Sequence, residues 1–159
     1  MQKLEMLILD VDGTLTDGKI YMGPSGEVFK AFNAHDAQGL RKLPELGIET
    51  IIITGRESEI VKHRAKEMNI SEVYQNIDNK KDKLLELIAS KNISLEEVGY
   101  IGDDENDYEA MSICGFKACP NDAVDKIKGI VDYISPKKCD ESAVREIIEN
   151  IILKEVIEW

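Results

Sequence analysis

The strongest constraint in this chain is its alternation of short apolar, β-prone runs with segments of helical period. Six runs read as strands: residues 5–11 (EMLILDV), 48–54 (IETIIIT), 72–75, 98–102 (VGYIG), 116–119 and 131–135. The first two are almost continuously apolar, the pattern of strands covered on both faces of a parallel sheet. Between the runs lie helical stripes. Ile60, Val61, Ala65 and Met68 share a face in 58–68, and Leu84, Leu85, Leu87 and Ile88 do so in 82–88. The longest stripe, in 142–156, carries Val144, Ile147, Ile148, Ile151 and Ile152. This order predicts an α/β fold, a doubly wound, mostly parallel Rossmann-like sheet flanked by helices. With 159 residues, 1–159 is expected to form one domain.

One segment breaks the alternation. Residues 19–33 (KIYMGPSGEVFKAFN) place two β-prone runs around Gly23-Pro24-Ser25-Gly26, which predicts a hairpin insertion with a four-residue loop after the first strand. Asp36 is expected to cap a helix over 37–46, with Gly47 as its stop. Residues 136–140 (PKKCD) form a candidate hinge before the last helix.

Charge narrows the function classes. Asp and Glu number 31 against 20 Lys and Arg, a formal net charge of −11. Such a surface repels phosphate backbones and anionic headgroups, so nucleic acid and membrane partners are not expected. No apolar run approaches the roughly 18–20 residues of a membrane span. The apolar run near the amino terminus ends in carboxylates, not in a small-residue cleavage site. Cys114, Cys119 and Cys139 have no metal-site spacing and are expected to be buried or half-buried thiols in a reducing cytoplasm. His35 and His63 lack partner spacing and are expected at the surface or as capping residues.

In an open α/β sheet, ligands bind beyond the carboxyl ends of the strands. The first strand ends in Asp10-Val11-Asp12-Gly13-Thr14, the next in Thr54-Gly55-Arg56, and a later one in Gly102-Asp103-Asp104, with Asp107 a turn on. Lys80 opens the intervening helix, with Lys81 and Lys83 read as its solvated face. Carboxylates gathered at one rim raise each other's pKa, so a cation is required among them. Mg²⁺ fits, because it takes one or two carboxylates together with water and substrate phosphate.

These motifs, Asp10-x-Asp12-Gly-Thr14, Thr54, Lys80 and Gly102-Asp103-Asp104-x-x-Asp107, in this order resemble the haloacid dehalogenase superfamily of phosphatases. The resemblance implies Asp10 as the nucleophile that forms an aspartyl-phosphate, and Asp12 as general acid and then general base. It implies Thr54 and Lys80 on the phosphoryl oxygens. Mg²⁺ would lie on the Asp10 carboxylate, the Asp12 backbone carbonyl and Asp103, with Asp107 supporting. A sugar alkoxide leaves badly, so Asp12 must carry a proton, which a neighbouring carboxylate and partial burial would favour. A signalling receiver domain shares the residue types, but its Thr and Lys follow the phosphorylated Asp, whereas Thr54 and Lys80 precede Gly102-Asp103-Asp104 here.

From Asp12 to Thr54 is 42 positions and from Thr54 to Lys80 is 26, which leaves no room for a cap domain. An open site is expected to be closed by a neighbouring subunit, with the 19–33 hairpin as the interface. DGKIYMGPSGEVFKAFNAHDAQGL, ITGRES, YQNIDNK, YIGDDENDYEAM and AVREIIE look like the tetrameric 3-deoxy-D-manno-octulosonate 8-phosphate phosphatases of lipopolysaccharide biosynthesis. They also look like the nonulosonate (sialic-acid-type) 9-phosphate phosphatases. That resemblance implies a homotetramer and a phosphorylated 2-keto-3-deoxy sugar acid as substrate, which needs a carboxylate reader. Arg56, after Thr54-Gly55, and Arg64 are the nearest guanidiniums, and their spacing of eight suggests one helix face. Arg after Thr-Gly resembles the octulosonate branch. Where that family carries a glycine-rich run before its final Ala/Val-Arg-Glu, this chain has Lys137-Lys138-Cys139-Asp140-Glu141-Ser142.

Overall fold

The computed structural model describes residues 3–152, apart from the Ile151 side chain. In chain order the strands and helices are β1 (Met6–Leu9), β2 (Tyr21–Gly23), β3 (Gly26–Phe29), α1 (Ala34–Leu40), β4 (Glu49–Ile53), α2 (Glu59–Glu67) and β5 (Glu72–Tyr74). They continue as α3 (Lys80–Lys91), β6 (Val98–Ile101), α4 (Tyr108–Ser112), β7 (Phe116–Cys119), α5 (Asp125–Lys128), β8 (Tyr133–Ile134) and α6 (Ala143–Ile147). Six strands make one parallel sheet in the order β5-β4-β1-β6-β7-β8. This is the doubly wound Rossmann-like sheet that the alternation predicts.

Strand periodicity sorts β1 to both faces. Leu7 and Leu9 pack with Leu40, Val61, Val144 and Ile147 on the α1–α2–α6 side. Met6 and Ile8 pack with Leu84, Leu87, Met111 and Ile127 on the α3–α4–α5 side. All four β1 side chains are fully buried, which is why the run is apolar without interruption. Of the helix stripes, Val61, Ala65, Met68, Leu84, Leu87, Val144, Ile147, Ile148 and Ile152 are buried, Ile60 and Ile88 are half-buried, and Leu85 is exposed.

Four local expectations change. The hairpin turns on two residues, Pro24-Ser25, because Gly23 and Gly26 themselves pair across β2 and β3. Gly26 takes a φ of +117°, which a side chain would resist. The helix expected over 37–46 starts earlier, at Ala34, with Asn33 as the cap accepting from the His35 N–H, so Asp36 lies within the first turn. That helix ends at Leu40; a separate 3₁₀ turn, Pro44–Leu46, then stops at Gly47 in the left-handed region. The last helix becomes a π-type turn over Ile148–Ile152, and 153–156 lie outside the described residues. Among the described residues no helix is long and apolar enough to cross a membrane. Cys114, Cys119 and Cys139 are free and buried, and His35 and His63 are exposed.

Candidate active site

Three neighbouring strands, β4, β1 and β6, deliver the polar residues to one rim. Asp10 directly follows β1, Thr54 directly follows β4, and Asp103 lies two residues beyond β6. Backbone bonds fix these exits. The Asp10 N–H donates to the Ile101 carbonyl at 3.1 Å, and the Thr54 N–H donates to the Tyr74 carbonyl at 2.9 Å. Lys80 reaches the rim from the first turn of α3, whose start is set by Asn79 accepting from the Asp82 N–H.

Lys80 is almost wholly buried, and its Nζ donates to Asp10 Oδ1 and Asp107 Oδ1, each at 2.7 Å. Burial opposes its charge, but the two carboxylates outweigh burial and raise its pKa above the usual ammonium range. Asp107 is saturated: Tyr100 Oη also donates to Oδ1 at 2.9 Å, and the Asp103 N–H donates to Oδ2 at 3.1 Å. A carboxylate so engaged orients its neighbours more readily than it takes a ligand. Asp103 is held by Thr14 Oγ1, which donates to its Oδ1 at 3.1 Å.

The glycines of the two Asp motifs are required by close approach. A Cβ on Gly13, whose φ is +87°, would stand 2.0 Å from Asp103 Oδ2, and one on Gly102 would stand 2.6 Å from the Asp107 carboxyl.

Asp10, Asp103 and Asp107 each offer a carboxylate oxygen, and these oxygens lie within 4.8 Å of one another. Burial and the Asp107 charge push Asp10 above the usual carboxylate range against the pull of Lys80, and burial and the Asp10 charge push Asp103 further up. Two buried acids, each raised by a neighbouring carboxylate and with one ammonium already committed, suit a hard cation with oxygen donors, and Mg²⁺ is of that kind.

Asp12 stands on the same turn but faces elsewhere. Its Oδ1 accepts from Lys30 Nζ at 2.6 Å, and its Oδ2 lies 4.0 Å from Arg56 Nε. The closest charged partner of Asp12 is therefore an ammonium, where the sequence reading expected a carboxylate. Sequence reasoning missed Lys30 because a lysine on an exposed hairpin reads as solvated. The only signal was its position at the end of a β-prone run that loops back to the Asp motif.

The two candidate guanidiniums do not share a helix face. Arg56 precedes α2 in a loop with Gly55 and is half-exposed. Arg64, within α2, donates to the Asn33 carbonyl at 3.2 Å and to Glu67 at 3.0 Å, and its guanidinium lies over the Phe32 ring. Lys83, expected on the solvated helix face, is half-buried instead, pairing with Glu86 and lying over the Tyr74 ring.

A family model described as haloacid dehalogenase-like hydrolase matches residues 64–148. The 3-deoxy-D-manno-octulosonate 8-phosphate phosphatase KdsC of Escherichia coli K12 is 38% identical over 152 residues, 96% of this chain and 81% of that protein. The chain belongs to the haloacid dehalogenase-like hydrolases. It is an enzyme of the phosphatase class.

Solved members of the family share the fold. A 3-deoxy-D-manno-octulosonate 8-phosphate phosphatase from Moraxella catarrhalis, in complex with magnesium, phosphate and KDO, superposes with a TM-score of 0.91 at 39% identity, covering 95% of this chain and 86% of that one. The cobalt-bound deoxy-D-mannose-octulosonate 8-phosphate phosphatase of Haemophilus influenzae gives 0.90 at 30% identity, covering 96% and 88%.

Proposed function

We propose that this phosphatase is magnesium-dependent and hydrolyses a phosphorylated 2-keto-3-deoxy sugar acid, 3-deoxy-D-manno-octulosonate 8-phosphate, through an aspartyl-phosphate on Asp10. The observation that carries the reading is the cluster of Asp10, Asp103 and Asp107 beyond the ends of β1 and β6, with a buried Lys80 bonded to Asp10 and Asp107. Relatives with that activity named for them, at 38–39% identity, support the substrate.

In this mechanism the Asp10 carboxylate attacks phosphorus and the bond to the sugar oxygen breaks. Asp12 gives that oxygen its proton, then takes one from the water that hydrolyses the acyl phosphate. Splitting the reaction this way replaces one difficult displacement by two easier ones. Thr54 and Lys80 hold the phosphoryl oxygens. The Asp10 and Asp103 carboxylates and the Asp12 backbone carbonyl would hold Mg²⁺, with Asp107 bracing Asp103 and Lys80. When bound, the ion offsets the repulsion between a phosphate dianion and a carboxylate nucleophile. Gly55 lets the backbone pass close to the phosphoryl group. Arg56 and Arg64 read the substrate carboxylate, and Arg56, being free to swing, is the better placed of the two.

The hairpin supports assembly. Ile20, Met22, Val28 and Phe29 are exposed on β2, β3 and their flank, with Met22 at 61% and Val28 at 59%. Apolar side chains grouped on one two-stranded ribbon favour burial against other copies of the chain. We assign them to a homotetramer in which each subunit shields a neighbour's open site, in the cytoplasm where the free thiols stay reduced. Phe29→Ser together with Met22→Ser is expected to lower the solution mass measured by light scattering. A wild-type mass of one subunit would remove this part of the reading.

The reading is tested by kcat/KM across a panel of ulosonate and simple sugar phosphates. The octulosonate 8-phosphate is expected to exceed the nonulosonate 9-phosphate and a hexose phosphate by at least about tenfold. Equal values across the panel would overturn the substrate assignment.

A further inference from the structure

Lys30 follows β3 directly, yet its side chain is only 2% exposed. Its Nζ is shared between Asp12 Oδ1 at 2.6 Å and Glu27 Oε2 at 2.9 Å. Glu27 is fixed in turn, accepting from Ser58 Oγ at 2.7 Å at the start of α2, and the Ser58 N–H donates to Gln75 Oε1 at 2.8 Å. Besides Asp12, the ammonium is therefore held by Glu27 of the hairpin, which Ser58 fixes from the position just before α2. Burying a lysine is costly, and apolar packing would tie a hairpin to a domain at less expense. What a buried ammonium adds is direction. It commits one carboxylate oxygen of Asp12 and leaves Oδ2 on the side of Arg56.

We infer that Lys30 is a positioning residue for the phosphatase reaction, gripping Asp12 Oδ1 so that Oδ2 faces the oxygen that leaves phosphorus. This rests on the reading of Asp12 as the proton donor to that oxygen. A short side chain at an open rim has other staggered orientations available, and a fixed partner removes them. Glu27 and Ser58 serve the same end at one remove, by holding Lys30.

The experiment compares kcat/KM of the magnesium-loaded enzyme on two substrates, a sugar phosphate and 4-nitrophenyl phosphate, whose phenolate departs without a proton. This constant ends at departure of the leaving group, and the ratio of the two values does not depend on how much of a preparation is folded. Lys30→Met is expected to lower kcat/KM on the sugar phosphate by about 10–100-fold and on the aryl phosphate by less than about threefold. Lys30→Arg is expected to recover part of the loss, and Glu27→Gln to show the same selectivity at smaller size. Asp12→Asn sets the reference and is expected to be more selective than either. If Asp12→Asn is selective but Lys30→Met lowers both substrates equally, or neither, the positioning role is overturned and the reading of Asp12 stands. If Asp12→Asn lowers both equally, the reading of Asp12 falls and takes the inference with it.

Discussion

Asp10 and Asp36 are the same residue type, both buried, and the protein treats them differently. Asp36 sits in the first turn of α1, against the start of α6. Its Oδ1 accepts from the Arg145 N–H at 2.9 Å, and its Oδ2 has no hydrogen-bond partner among the described residues. Burial pushes its pKa up to about 7, against that N–H bond and the charges of Arg64, Arg145 and Lys137. Asp10 is raised too, by burial and by the Asp107 charge, but it has a direct ammonium in Lys80 and two further carboxylates beside it. A lone acid in a helix seam is relieved by a single proton. Three clustered acids with one ammonium, gathered beyond the ends of β1 and β6, are relieved by a second cation. Burial alone therefore does not mark a functional carboxylate; crowding at the strand ends does.

Substitutions at the two positions should separate the cases sharply. Asp10→Asn keeps the shape but removes the proposed nucleophile, and kcat on a sugar phosphate should fall by about 10³-fold or more. Asp36→Asn should leave kcat within about twofold, and a larger loss would make the seam part of the catalytic apparatus. Lys80→Met should cost about 10²–10³-fold in kcat if, as proposed, Lys80 is a charged donor to the phosphoryl group. It should also lower unfolding stability by about 3 kcal/mol, because Asp10 and Asp107 lose their buried partner. Denaturant unfolding of Lys80→Met checks the second figure, and unchanged stability would show that the rim does not depend on that ammonium.

The smallest effect expected is in the pH dependence of stability. Because the folded pKa of Asp36 lies above its ordinary value, the native state holds this proton where the unfolded chain has released it. Stability should then fall as pH rises from about 4 to about 7 and level off beyond. Asp36→Asn keeps an acceptor for the Arg145 N–H and removes the titration. Thermal unfolding at about pH 8 should find it more stable than wild type by on the order of 1–3 kcal/mol, with the advantage gone at about pH 4. An advantage that persisted at low pH would locate the effect in packing instead of charge.

How far the sequence disclosed all this follows from the range of each interaction. The sheet strands were legible because every residue of β1 and every buried residue of β4 except Thr50 is apolar, and β7 was bounded correctly at 116–119. The residues at the strand ends were legible too, because parallel topology alone brings successive strand ends to one rim. Local choices between rival caps were not: Asn33 and Asp36 are both good caps, and only packing against α6 draws Asp36 inward. Arg56 looked helical by spacing, but α2 begins only at Glu59. The Lys30–Asp12 pair joins residues 18 apart across a hairpin, where a charge pattern read along the chain has no reach. Leu85 shows the reverse error, an apolar residue counted into a stripe that the helix turns outward.

The central claim is that the carboxylates at the β1 and β6 ends share a divalent cation. Calorimetric titration of magnesium into the wild-type protein and into Asp103→Asn tests it most directly. The account predicts a single ion per chain for the wild type, and affinity at least about tenfold weaker once Asp103 is neutralised. Equal affinity in the two proteins, or a wild type that takes up no magnesium, would contradict it.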